Sequence, residues 1–235
     1  MDGIMSRKSI LVVAAHPDDE VLGPGGTISA AAARGDHVIV YIAAEGVGTR
    51  HGKMNGEAVR RRSERAAEIL GVSDIRLGGH GYDGTLLTSI PDQRIVREIQ
   101  DLVDDTNPQI VLTHFPADIH SDHRALARAV CYATRAPGLR GIETIAYFET
   151  LSSTEQGSTV GPNIYIDISD VLERKLNAMR EYAGELFEFP HPRSIQALTN
   201  QARFRGQQVG IRAAEAFFLS RAVISNSQAE DAYHA

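Results

Sequence analysis

The chain reads as an α/β protein of Rossmann-like design, a mostly parallel sheet flanked by helices on both faces. Short β-branched or apolar runs alternate with longer helical segments through most of its length. Parallel strands need crossover connections, and those are usually helical and right-handed. Two stretches rich in histidine and aspartate each follow an apolar run directly, where loops at the carboxyl ends of parallel strands bind ligands. At 235 residues and 43% apolar content the chain can bury one good core, so residues 1–235 are read as a single α/β domain.

Residues 10–15 are a buried strand by composition, and residues 25–34, with four consecutive alanines, are a helix ended by Gly35. Residues 37–44 are β-branched enough for a second strand. Residues 57–70 are strongly helical and stop at Gly71, and a short strand follows at 75–77. Next come a helix at 92–105, a strand at 110–113 and a helix at 122–134. Residues 144–148 and 163–168 are two further strands, the second alternating Ile164, Ile166 and Ile168 with Tyr165 and Asp167. A long helix is predicted over 170–185 and another over 194–222. There is no repeat, low-complexity tract or evident linker.

Composition narrows the function. A net charge of −6 gives no basic footprint, which disfavours nucleic acid and acidic membrane surfaces as partners. The one cysteine, Cys131, has no partner for an internal disulfide and lies in a predicted helix with Ala129, Val130 and Ala133, so core packing is its expected role. No apolar stretch approaches the roughly 18 residues of a membrane span, and the early run is too short for a signal peptide. A cytoplasmic protein is expected.

The segment Ala15-His16-Pro17-Asp18-Asp19-Glu20 places one histidine and three acids at the end of the first strand. Histidine and aspartate are the nitrogen and oxygen donors that divalent transition metals take, and the proline stiffens the turn that aims them. Phe115-Pro116-Ala117-Asp118-Ile119-His120-Ser121-Asp122-His123 supplies candidates for a third ligand after the fourth strand. Each motif has a plainer reading. The acids suit the first turn of a helix, whose free amides and dipole favour negative charge, and His-x-Asp-His suits a solvated loop. Their shared placement favours metal binding. In the common doubly wound order, strands 1 and 4 are neighbours where the sheet reverses, so motifs a hundred residues apart meet in space.

A dinucleotide site would put G-x-G-x-x-G at the first strand-to-helix turn. That turn instead carries carboxylates that repel phosphate. Gly23, Pro24, Gly25 and Gly26 come later and open the next helix.

With these motifs the chain resembles the PIG-L/LmbE-like metal-dependent N-deacetylases, which act on N-acetylglucosaminyl lipids, sugar-cysteine thiol precursors, and antibiotic and chitin-fragment amino sugars. Later stretches add to the likeness: His191-Pro192-Arg193-Ser194, Arg205-Gly206 and Ala214-Glu215-Ala216-Phe217. The resemblance implies that His16, Asp19 and His123 bind Zn2+, that Asp18 is the base, that His120 is the second catalytic group and that Asp122 orients a histidine. Some relatives carry a tyrosine shortly before the catalytic histidine; this chain has Asp118 and Ile119 there.

The roles are chemically coherent. Three protein ligands leave a position for water, whose pKa falls toward neutrality. Asp18 can accept the water proton, a protonated His120 can stabilise the developing oxyanion and protonate the amine, and Asp122 can fix the tautomer of His120. A facial-triad iron oxygenase accounts for the ligands but not for Asp18 and His120. An amidase cleaving a larger acyl group from a sugar-thiol conjugate would use the same groups, and a sugar-binding module without catalysis could retain the metal.

For substrate binding the candidates are Arg60, Arg61, Asp83, His191 and Arg193, with Arg50 as a further polar group. Relatives use an arginine on the helix after strand 2, which Arg60 and Arg61 both match; the plainer reading of that helix is a solvated face of i,i+4 charge pairs. The glycine-rich residues 46–56 suit a lid. His191 and Arg193 also suit a contact between subunits of a homo-oligomer. His114 is read as a packing residue at a strand end. The expected activity is zinc-dependent removal of an N-acetyl group from an amino sugar or its conjugate, a small-molecule substrate.

Overall fold

The computed structural model describes residues 7–44, 56–80, 87–89, 92–135, 141–157 and 160–224. Seven strands form one sheet: β1 (Ser9–Ala14), β2 (His37–Ala44), β3 (Asp74–His80), β4 (Ile110–His114), β5 (Thr144–Phe148), β6 (Ile164–Asp167) and β7 (Ala214–Ala222). Their order is β3-β2-β1-β4-β5-β7-β6. All neighbouring pairs from β3 to β5 are parallel, and β7 runs antiparallel to both β5 and β6. The helices are α1 (Asp19–Leu22), α2 (Gly25–Arg34), α3 (Gly56–Leu70), α4 (Asp92–Thr106), α5 (Ser121–Ala133), α6 (Thr154–Gly157), α7 (Leu172–Glu181) and α8 (Ile195–Gln208).

The near-continuous apolar run of β1 follows from burial on both faces. Ile10, Val12 and Ala14 join one core with Val21, Ile28, Leu70, Leu176 and Met179. Leu11, Val13 and Ala15 join the other with Ile95, Ile99, Leu126 and Val130. Fully burying a side chain of this size contributes about 1.5–3 kcal/mol, so the two cores together fix the central strands.

β1 lies between β2 and β4, with Val12 opposite Val40 on one side and Leu112 on the other. Here the strand order reverses, the point in such sheets where ligands bind outside the strands' carboxyl ends. The two polar motifs occupy the loops leaving β1 and β4, as the sequence predicts.

Two expectations are corrected. The helix predicted over 194–222 ends at Gln208, and its last third is the strand β7. Gly210 takes a left-handed φ of 77° that turns the chain, a conformation glycine adopts without a side-chain clash. Ala214 to Phe218 are then buried between β5 and β6, whose ladders satisfy the backbone on both sides. A short apolar run does not distinguish a buried strand from a helix by periodicity, and tertiary pairing decides. Cys131 is exposed, not packed in the core. The inward face of α5 is Leu126, Ala127, Ala129, Val130 and Ala133, which turns Cys131 outward, where its Sγ lies 3.0 Å from the Tyr147 hydroxyl.

A buried ion pair joins β7 to the segment that follows the first motif. Lys175 Nζ on α7 donates to Leu22 O at 3.0 Å, Gly23 O at 2.9 Å and Glu215 Oε1 at 2.5 Å. Glu215 also accepts the Gly26 and Thr27 N–H groups, each at 2.7 Å, satisfying amides in the first turn of α2. Removing one partner of a buried, hydrogen-bonded pair strands the other charge. Lys175→Met is therefore expected to lower the unfolding free energy by about 3 kcal/mol, read from chemical denaturation.

Candidate active site

Between β1 and α1 the backbone makes an unusual turn. Asp18 sits at φ 108°, outside the conformations most residues adopt. Asp18, Asp19 and Glu20 are all buried, at 2%, 0% and 1% exposure. Burying three adjacent acids is costly unless each finds donors or cations. Asp18 Oδ2 accepts Arg193 Nη1 at 2.8 Å, and Glu20 accepts the Tyr182 hydroxyl at 2.5 Å and the Asp18 N–H at 3.0 Å. Asp19 Oδ2 accepts the His16 main-chain N–H at 2.9 Å.

The second motif closes over Asp19. His123, on the first turn of α5 and 1% exposed, turns Nε2 to within 3.3 Å of Asp19 Oδ2. His16 Nδ1 lies 3.3 Å from the same oxygen. Donor atoms held tetrahedrally at about 2.0–2.1 Å from a zinc-like ion stand about 3.3 Å apart, so both separations have the length of a tetrahedral edge. Asp19 Oδ1 is buried without a hydrogen-bond partner among the described residues, an orphaned acceptor that a cation would satisfy. The far nitrogen of each histidine meets a carboxylate: His16 Nε2 lies 3.0 Å from Asp122 Oδ2, and His123 Nδ1 3.2 Å from Asp118 Oδ2. This is the arrangement that orients imidazole ligands. Among the described residues two groups offer donor atoms within 4.8 Å of one another that could hold a metal ion, His16 with His120 and His123, and Asp19 with His114 and His123, so the three ligands expected from sequence are divided between two sets that share His123.

His114 and His120 also offer ring nitrogens close by. His114 Nε2, however, already accepts the Ala15 N–H at 2.9 Å, and the ring stacks on His123 at 3.9 Å. Expected from sequence to be a packing residue, His114 is buried but stands in the cluster itself, with Nε2 3.4 Å from Asp19 Oδ2. His120 Nδ1 accepts the Asp122 N–H at 3.2 Å as the ring caps α5. Asp122 thus meets His120 through its main chain, and its carboxylate goes to His16 instead of the histidine at 120. The accepting Nδ1 leaves the proton of a neutral His120 on Nε2.

The electrostatics divide the groups. Burial drives the Asp18 carboxyl well above the usual range; Arg193 opposes that shift and the Asp19 charge adds to it. Asp19 is itself buried, yet His123 and His114 hold it well below the usual range. Burial, with repulsion from His123 and His16, lowers His120 to about 4, which favours its neutral form. Burial also opposes charge on His16 and His123, but Asp122 and Asp19 raise the first to about 10, while Asp19 and Asp118 raise the second to about 9.

Of the expected substrate-binding residues, Arg193 reaches the site through Asp18. His191, exposed, accepts the Arg193 N–H through Nδ1 at 3.1 Å and packs its ring on Phe187 at 4.2 Å. Arg60 and Arg61 are exposed on α3, where Arg61 pairs with Glu57 one turn away, and neither is among the groups gathered around Asp19. Asp83, Arg50 and residues 46–55 of the glycine-rich stretch lie outside the described residues. The sequence reading missed Asp118 as a partner of His123. Its spacing, five residues before that histidine, carries no recognisable ligand pattern.

Residues 11–134, spanning both motifs, match the family described as PIG-L, GlcNAc-PI de-N-acetylase. The chain belongs to this family. It is 34% identical over 234 residues to the diacetylchitobiose deacetylase of Thermococcus kodakarensis, covering 90% of this chain and 85% of that protein. It is also 29% identical to a probable N-acetyl-alpha-D-glucosaminyl L-malate deacetylase 2 of Bacillus cereus, over 76% of this chain and 84% of the relative. The crystal structure of the hydratase GalB, which acts on 4-carboxy-2-hydroxymuconate in Pseudomonas putida, shares the fold with a TM-score of 0.77 at 24% identity, covering 93% of this chain and 98% of that one.

A cation entering this site competes with protons on His16 and His123. Raising the pH removes the competitor, so apparent zinc affinity is expected to climb from pH 6 toward pH 9. Competition against a chromophoric chelator across that range measures it, and Asp19→Asn should lose the high-affinity binding throughout.

Proposed function

We propose that this chain is a zinc-dependent hydrolase that removes the N-acetyl group of an amino sugar or small amino-sugar conjugate, giving acetate and a free amine. The observation that carries this reading is the convergence of His16 Nδ1 and His123 Nε2 on Asp19, each at 3.3 Å, with Asp18 and His120 alongside. Family membership and the named activities of the relatives support it.

Zinc bound here would be held by His16, Asp19 and His123 and would supply Lewis acidity, bringing water toward ionisation near neutral pH. The remaining chemistry belongs to side chains. Asp18 takes the proton of the attacking water. Its raised pKa suits it to keep that proton and pass it to the departing nitrogen, so one carboxyl serves as base and then acid. Arg193, 2.8 Å from Asp18 Oδ2, aims the carboxylate and limits the rise in its pKa. His120, neutral with its proton on Nε2, donates a hydrogen bond to the acyl oxygen as negative charge grows there. Asp122 holds His16 by its carboxylate and His120 by its N–H, tying the ligand shell to the catalytic groups.

Acetate release from N-acetylglucosamine and diacetylchitobiose, with and without zinc, tests the assignment; zinc bound but no amide cleaved across such a panel overturns it. Asp18→Asn is expected to lower kcat by about 10²–10⁴-fold while leaving zinc stoichiometry unchanged. Arg193→Met should move the acidic limb of the kcat/KM profile to higher pH. Without the guanidinium, the Asp18 carboxylate is less stable and is protonated at a higher pH.

A further inference from the structure

Asp118 is 1% exposed, and its carboxylate is met by donors. Oδ2 accepts the Thr154 hydroxyl at 2.7 Å and the Ser153 hydroxyl at 2.9 Å, and lies 3.2 Å from His123 Nδ1. Oδ1 accepts the His120 main-chain N–H at 2.7 Å. Both hydroxyls come from the start of α6 and the turn before it, beyond β5. That turn is closed on itself: the Thr150 N–H donates to Thr154 Oγ1 at 2.9 Å, and Ser153 Oγ also lies 3.2 Å from Thr150 O. The last residue of α6 is Gly157. A Cβ there would stand 1.9 Å from Ala117 O, so the turn seats against the Pro116-Ala117-Asp118 segment only because position 157 has no side chain.

We propose that Asp118 is a positioning residue for the metal centre, with Ser153 and Thr154 as its clamp; this rests on His123 being a zinc ligand. One carboxylate oxygen fixes His123 with its proton on Nδ1 and its Nε2 lone pair free for the cation. The other fixes the main chain of His120. A single buried carboxylate thus sets the ligand and the oxyanion donor relative to each other. Asparagine cannot substitute. Its amide oxygen can serve the His123 side or the His120 side, and its NH2 group then faces a donor on the other.

Full-length protein carrying Asp118→Asn tests the assignment, with zinc affinity from chelator competition and secondary structure from circular dichroism. Folded Asp118→Asn is expected to bind zinc 10–100-fold more weakly than the unaltered chain, the usual cost of losing a partner that orients a histidine ligand. In zinc-loaded samples, nitrogen-15 NMR should report the Nδ1–H tautomer of His123 in the unaltered chain and lose that resonance in the variant. The doubly substituted Ser153→Ala/Thr154→Val chain keeps the carboxylate and loses two donors. Its zinc affinity should fall by a smaller, severalfold factor, and it decides the matter should Asp118→Asn not fold. Affinity within twofold of the unaltered chain in the folded Asn variant, or in the double variant if that alone folds, overturns the proposal. Failure of the unaltered chain to bind zinc overturns instead the metal reading on which the proposal depends.

Discussion

The constraint on which this structure turns is the Asp19 carboxylate, which is fully withdrawn from solvent at the meeting of β1 and β4. An isolated charge there would be prohibitively unstable, so the fold must bring compensating groups to it from both motifs. His16 arrives from the same turn, and His123 arrives from across the strand order's reversal. The left-handed backbone at Asp18 belongs to the same solution. Strain of this kind costs on the order of 1–3 kcal/mol and persists only where surrounding contacts over-determine it. Here those contacts are Arg193 on the side chain, Glu20 on the N–H, and α1 hydrogen bonds to the Asp18 carbonyl.

Carboxylates recur around that centre, with distinct environments separating their roles. Asp19 is held anionic by imidazoles, Asp18 is pushed toward its neutral form by burial and by Asp19, and Asp118 and Asp122 hold the far sides of His123 and His16. Residue type alone would not separate them. The same fold also carries the hydratase GalB, so the sheet is a support and the chemistry is decided by which side chains occupy the loops at its carboxyl edge.

Much of this was legible in the sequence. β1, β2, β4 and β5 are marked by apolar runs, the helices between them by periodicity and terminal glycines, and the reversal of strand order follows from β-α alternation. That His16, Asp19 and His123 gather at one place was legible because both motifs directly follow strands. What was hidden depends on distant partners. β7 reads as a continuation of α8 because its apolar run becomes a strand only when β5 and β6 supply its hydrogen bonds. Whether Asp122 serves His120 or His16 depends on the turn of α5, which places its carboxylate on one and its N–H on the other. Asp118 depends on hydroxyls 35 and 36 residues away.

The position of β7 has a consequence for how the chain matures. β6 has β7 as its hydrogen-bonded neighbour in the sheet, and β5 is completed on that side by the same strand. During synthesis both wait with open edges until residues 214–222 leave the ribosome. Glu215, on that late strand, also holds the first amides of α2, just beyond the turn that carries Asp18 and Asp19. The earliest-made part of the catalytic apparatus is therefore locked by one of the latest, and a nascent chain that has exposed only its first motif holds that corner without its anchor.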